Sequence, residues 1–153
     1  MGKEDYKLRL YRDSDYDQVL GELTTKKYLN KYLNKGLLYS ALSFFGLHKS
    51  TLYVLEGSEG IVGRGVIRQK FSFKTFRVEY WLRGLEVLER HRGKGLGMLL
   101  QELTMDMLKE KNVDRVFGTI RKDNIRSFNL HSKLGFVKYK EYPNDYDVVC
   151  YLK

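Results

Sequence analysis

Glu86-Val87-Leu88-Glu89-Arg90-His91-Arg92-Gly93-Lys94-Gly95-Leu96-Gly97-Met98-Leu99-Leu100 is the pivot of the chain. An apolar run ends in charge, three glycines follow between Arg92 and Lys94 and beyond, and an amphipathic pattern then begins. Strand, glycine turn and helix N-terminus in that order are a recipe for holding an anion. Glycine lets backbone N–H groups approach closely. The first N–H groups of a helix lack internal partners, and the macrodipole adds positive charge where they emerge. A phosphate or pyrophosphate is the natural guest.

Reading outward, Phe76 to Leu88 is a long strand interrupted by Gly84, and a lone glycine there marks a bulge. Leu96, Leu99, Leu100, Leu103 and Met107 recur on one helical face, which predicts a helix to about Lys111. Val113 to Ile120 is the next strand. Strand, helix and strand form a crossover, so these two strands are expected to be parallel. Asp123-Asn124 caps a short helix ending near Leu134, and Gly135 sits at its C-cap. Phe136 to Tyr142 and Asp147 to Leu152 close the chain around the Pro143-Asn144-Asp145 turn.

Upstream, Tyr6 to Arg12 alternates as a strand, and Thr51 to Glu56 pairs with Ile61 to Phe71 across Gly57-Ser58-Glu59-Gly60. Between them, Tyr16 to Leu23, Thr24 to Gly36 and Leu37 to Phe45 read as helices. The stretch from Thr24 to Ser50 is rich in aromatics and lysine, which suits either a substrate wall or helices packed on the sheet with lysines in water. The sum is a mixed α/β domain with a largely antiparallel sheet, one domain over residues 1–153.

The formal charge of +9 favours anionic ligands. No zinc-finger spacing, aromatic RNA-binding motif or basic region with heptads is present, which argues against nucleic acid. No apolar run is long enough to span a membrane, and no secretory hydrophobic region follows Met1. The single Cys150 cannot form an internal disulfide and points to a cytoplasmic, reducing compartment. Three scattered histidines and one cysteine give no metal site.

The loop itself discriminates among anion binders. Leu and Met follow its last glycines where a Walker loop needs Lys-Ser or Lys-Thr. Gly93, Gly95 and Gly97 are spaced two and two, unlike the dinucleotide fingerprint. Arg92-Gly93-Lys94-Gly95-Leu96-Gly97 fits the acetyl-CoA loop, Arg/Gln-x-x-Gly-x-Gly/Ala, at every defined position. A second segment, Asn124-Ile125-Arg126-Ser127-Phe128-Asn129-Leu130-His131-Ser132-Lys133-Leu134-Gly135-Phe136, is similar to Asn-x-x-Ala/Ser-x-x-Leu-Tyr-x-Lys-x-Gly-Phe. On these two motifs the chain resembles the GNAT superfamily of acyl-CoA-dependent N-acetyltransferases.

That resemblance implies a mixed, mostly antiparallel sheet of six to seven strands, helices on both faces, and a cleft where strands 4 and 5 splay. It implies acetyl-CoA as donor, a primary amine of a small molecule or peptide as acceptor, and direct attack. Pantetheine amides are expected along Leu85 to Val87, with an N–H near Leu88 facing the thioester oxygen. Arg92, Gly93, Lys94, Gly95, Leu96 and Gly97 are expected at the pyrophosphate, with Asn124 and Ser127 on the pantetheine arm. His131 stands where many relatives carry a tyrosine that protonates the departing CoA thiolate. Glu79 is the expected base, counted on the same alternating face as Leu85 and Val87 when any bulge is ignored. Tyr80, Trp81 and Tyr142 suit either an acceptor pocket or core packing, the commoner role of aromatics at such positions. A non-catalytic CoA-binding sensor is the competing reading, and monomer and homodimer are both open.

Overall fold

The computed structural model of the protein describes residues 2–15, 17–18 and 47–153. Seven strands form one sheet in the order β1-β2-β3-β4-β5-β7-β6. They are β1 (Lys7–Leu10), β2 (Lys49–Gly57), β3 (Gly60–Ser72), β4 (Arg77–Val87), β5 (Arg115–Arg121), β6 (Val137–Glu141) and β7 (Asp145–Tyr151). Two helices are described, α1 (Leu96–Glu110) and α2 (Ile125–Lys133). Apart from Asp17 and Gln18, which are helical, the helices expected over 16–45 lie outside the described residues.

Neighbouring strands run antiparallel except β4 and β5, which are parallel as the crossover requires. That parallel pairing is short. Tyr80, Trp81 and Leu82 lie opposite Val116, Phe117 and Gly118, after which the strands part while β4 continues to Val87 and β5 to Arg121. A V-shaped gap therefore opens in the middle of the sheet.

Gly84 helps set the course of β4 beside this gap. Val66 pairs with Arg83 and Arg64 with Glu86, so two residues of β4, Gly84 and Leu85, face the single Gly65 of β3. This is a β-bulge, with Gly84 at φ 55°. The extra residue reverses the alternation downstream. Glu79 lies opposite Lys70 and Glu86 opposite Arg64, on one face of β3, whereas Leu85 and Val87 pack into the core with α1. The expectation that Glu79 shares a face with Leu85 and Val87 is corrected accordingly: Glu79 shares its face with Glu86.

The core lies between the sheet and α1, around Tyr53, Leu55, Ile67, Leu82, Leu100, Leu108, Val116 and Val148. Tyr53 lies flat over Gly65, where an added Cβ would stand 2.8 Å from its hydroxyl oxygen. Its buried hydroxyl bonds with that of Thr104, which in turn donates to the Leu100 carbonyl at 2.7 Å. The buried stripe of α1 is centred on Leu96, Leu100, Gln101, Thr104, Met105 and Leu108. It is rotated from the apolar pattern, because Leu99, Leu103 and Met107 sit only at the margin of the core.

Candidate active site

Beneath the gap runs a cleft of about 1020 Å³, lined by β4 from Leu82 to Val87, the glycine loop, the first turns of α1, β5 from Thr119 to Arg121, and α2. The loop forms one end. Gly93 and Gly95 adopt φ of 78° and 76°, which only glycine takes readily. Gly95 is the N-cap of α1 and offers no side-chain cap; Leu99 is the first amide to donate back, to Gly95 at 3.2 Å. The first-turn amides of α1 are thus available to an outside acceptor. Arg92 is exposed beside them, its Nε donating to the Val87 carbonyl at 3.0 Å and its Nη2 reaching Glu86 at 3.3 Å.

The opposite wall is α2. Asn124 caps it, its Oδ1 accepting the Ser127 N–H at 3.0 Å. One turn later His131 lies half-buried, edge-on to Phe136 at 5.0 Å. Its Nε2 stands 3.7 Å from where a Cβ on Gly118 would be, at the inner end of the gap. Its Nδ1 lies 2.7 Å from the Ser127 carbonyl oxygen. A carbonyl can only accept, so Nδ1 carries the proton. Burial pushes the imidazole below its ordinary range. In the resulting neutral ring Nε2 is bare, an acceptor rather than a donor.

Of the expected site residues, Leu85, Val87, Arg92, Gly93, Gly95, Leu96, Gly97, Asn124, Ser127 and His131 meet in this cleft. Three do not line it. Lys94 is exposed outside it. Leu88 is buried with Val54 and Ile61, and its N–H donates to the Val62 carbonyl at 2.9 Å. That amide is spent on β3 and is not free to face a thioester oxygen. Glu79 lies on the far face of the sheet, where it accepts the Trp81 indole N–H at 3.0 Å and stands 3.9 Å from the Lys70 ammonium.

Trp81 and Tyr142 share that far face: Trp81 stacks on Phe117 at 5.1 Å, and Tyr142 donates to Asp147 at 3.1 Å. Tyr80 packs instead on the core side. Asp147 also accepts from Thr119 at 2.7 Å, and Thr119 belongs to the cleft wall. Thr119, Gln101 and Glu86 were not legible as site residues. Strand pairing and helix rotation bring them there, and no local motif marks them. Among the described residues no group of three metal-ligating side chains occurs.

The donor set fits a long, phosphorylated guest: glycine amides and a cation at one end, an unpaired strand edge along the side, and a proton-accepting imidazole at the far end. Comparison with known proteins agrees. The model of the acetyltransferase (GNAT) family matches residues 17–136. The chain belongs to the GNAT acetyltransferase family. It is an acetyl-CoA-dependent acyltransferase whose acceptor is an amine. An N-alpha-acetyltransferase of Sulfurisphaera tokodaii is 26% identical over 146 residues, covering 91% of this chain and 84% of that protein. The spermidine N-acetyltransferase of Vibrio cholerae, solved with CoA and spermine, superposes with a TM-score of 0.70 at 14% identity over 97% of this chain and 96% of that one. A GNAT family acetyltransferase from Elizabethkingia anophelis with acetyl-CoA bound gives 0.67 at 16% identity, over 97% and 99%. At these identities the two structures share the fold. Among the described residues no helix is long and apolar enough to cross a membrane.

Proposed function

We propose that this GNAT enzyme acetylates the α-amine of a peptide by direct transfer inside the β4/β5 gap. The bare Nε2 of His131 at the inner end of that gap carries the reading. Acetyl-CoA supplies an acyl group already activated as a thioester. Arg92 and the amides of Gly93 to Gly97 would hold its pyrophosphate. The edge of β4 from Leu85 to Val87, unpaired toward β5, would hold the pantetheine amides, with Asn124 and Ser127 across from it.

The acceptor enters from the face that carries Glu79, Trp81 and Asp147. His131 takes one proton from the ammonium. The freed nitrogen forms its bond to the carbonyl carbon, the C–S bond breaks, and His131 returns its proton to the sulfur. The remaining proton lost by nitrogen leaves to water. The position implied as an acid thus begins the cycle as a base.

This imidazole sets the acceptor class. An α-amine, near pKa 8, lies within about two units of an ordinary histidine, whereas a lysine amine lies about four units above it. A ring depressed further by burial is a poor match for lysine side chains or polyamines. The Sulfurisphaera relative, named an N-alpha-acetyltransferase, supports the same choice. A single buried thiol, Cys150, fits a cytoplasmic enzyme.

The test is release of free CoA thiol, followed with a disulfide reagent, across three acceptors. A peptide with a free N-terminus and no lysine is expected to turn over. An N-acetylated peptide containing lysine, and spermidine, are expected not to. Turnover of either of those without turnover of the first peptide overturns the proposal.

A further inference from the structure

Gln101 is fully buried, at 0% exposure, yet neither its amide oxygen nor its amide nitrogen has a hydrogen-bond partner among the described residues. A buried primary amide left unpaired costs the desolvation of both groups, so its presence in a packed helix asks for a reason. Its place supplies one. Gln101 follows Gly97 by four residues and Met98 by three on α1, and all three belong to the cleft wall. At Gly97 an added Cβ would meet Leu130 of α2 at 3.4 Å and Val87 of β4 at 3.9 Å. The helix row that ends in Gln101 thus runs inward between β4 and α2, behind the strand edge along which the arm of acetyl-CoA is expected.

We infer that Gln101 binds the pantetheine arm of acetyl-CoA, its side-chain amide pairing with a secondary amide of the arm. The chemistry is complementary: the glutamine amide offers two N–H donors and one carbonyl acceptor, and a secondary amide offers one of each. The group is closed off from bulk water. Gln101 belongs to the cleft wall, where an arm seated in the cleft meets it, and its broad terminal torsion lets either its oxygen or its nitrogen face that arm. Nothing in the glycine loop performs this task, since the loop reads phosphate and Gln101 reads the amide-bearing arm.

The test separates the two halves of the ligand. Binding of CoA, and of adenosine 3′-phosphate 5′-diphosphate, which keeps the diphosphate and lacks the arm, is measured by calorimetry on the wild type and on Gln101→Leu. Removing an unpaired amide in favour of an apolar side chain of similar size leaves the fold intact. CoA is expected to bind about tenfold more weakly to the variant, as the loss of one hydrogen bond implies, and the armless fragment as before. Gln101→Asn, which withdraws the amide by one methylene, is expected to give the same split and serves if the leucine variant does not fold. Unchanged affinity for both ligands would mean that the amide serves only a buried water, and equal weakening of both would mean that the loop has been disturbed. Either result overturns the assignment.

Discussion

Glu86 grips Arg92. One carboxylate oxygen receives the Arg92 guanidinium at 3.3 Å, the other bonds Arg64, a fully buried side chain of β3, and Arg92 is further fixed through the Val87 carbonyl. The exposed arginine at the glycine-loop end of the cleft is thereby tied through one carboxylate to the interior of the sheet.

Preorganisation of this kind lowers the cost of ordering a long side chain on binding. Glu86→Gln is therefore expected to raise the Kd for CoA several-fold. In an Arg92→Ala background the same change is expected to do nothing further. A double-mutant cycle on CoA affinity reads the coupling directly. Additive effects of the two substitutions would show that Glu86 acts only on the fold.

His131→Phe keeps the ring that packs on Phe136 and removes Nε2. It is expected to lower kcat on an α-amine acceptor by about 10²-fold or more, the usual contribution of proton transfer, while the Kd for CoA moves by less than about threefold, under 1 kcal/mol. Steady-state kinetics beside calorimetry check this. Equal losses in both quantities, or no loss in either, would remove His131 from the chemistry.

Burial holds both His131 and His91 below their ordinary range, with Arg90 and Lys94 adding to the effect at His91. Their folded pKa values lie under the unfolded value near 6.5, so between the two the unfolded chain binds more protons. Their stabilising effect is complete above about pH 6.5 and is lost as pH falls through the folded pKa. Melting temperatures recorded from pH 8 down to 5 are expected to fall, and to fall less steeply in His131→Phe. Parallel curves for the two proteins would contradict the assigned burial of a neutral ring.

Asn124 has two separable jobs. Its oxygen caps α2 through the Ser127 amide, while its NH₂ group makes no hydrogen bond among the described residues and faces no competing claim. Asn124→Asp keeps the cap, so its melting temperature is expected to match the wild type, while CoA affinity falls because a donor becomes a charged acceptor. Asn124→Ala is expected to lose both, with about 1 kcal/mol less stability. Unaltered CoA affinity in the aspartate variant would leave Asn124 as a cap alone.

Wherever a feature depends on neighbours in the chain, it was legible. The glycine loop, the helix after it, the Asn124 cap and the C-terminal Gly135 at φ 85° all follow from local backbone preference and local hydrogen bonds. Gly84 announced its bulge for the same reason. Its consequence was not legible, because alternation can be counted across a bulge only when the partner strand is known. That is why Glu79 was placed on the wrong face. Leu88 was misjudged in a similar way: whether its amide is free depends on Val62, 26 positions earlier in the chain.

The sequence by itself determined that a glycine-rich turn leads into a helix N-terminus and that a second motif sets a histidine on the following helix, since both are short-range patterns fixed by spacing. Only the tertiary structure decided what those groups do. The Ser127 carbonyl sets the tautomer of His131 and burial its neutral charge, the rotation of α1 buries Gln101 in the cleft wall, and the parting of β4 from β5 after Leu82 and Gly118 made the opening in which they meet. Each of these is set by packing between distant segments, where a group's partners, and therefore its chemistry, depend on the whole sheet.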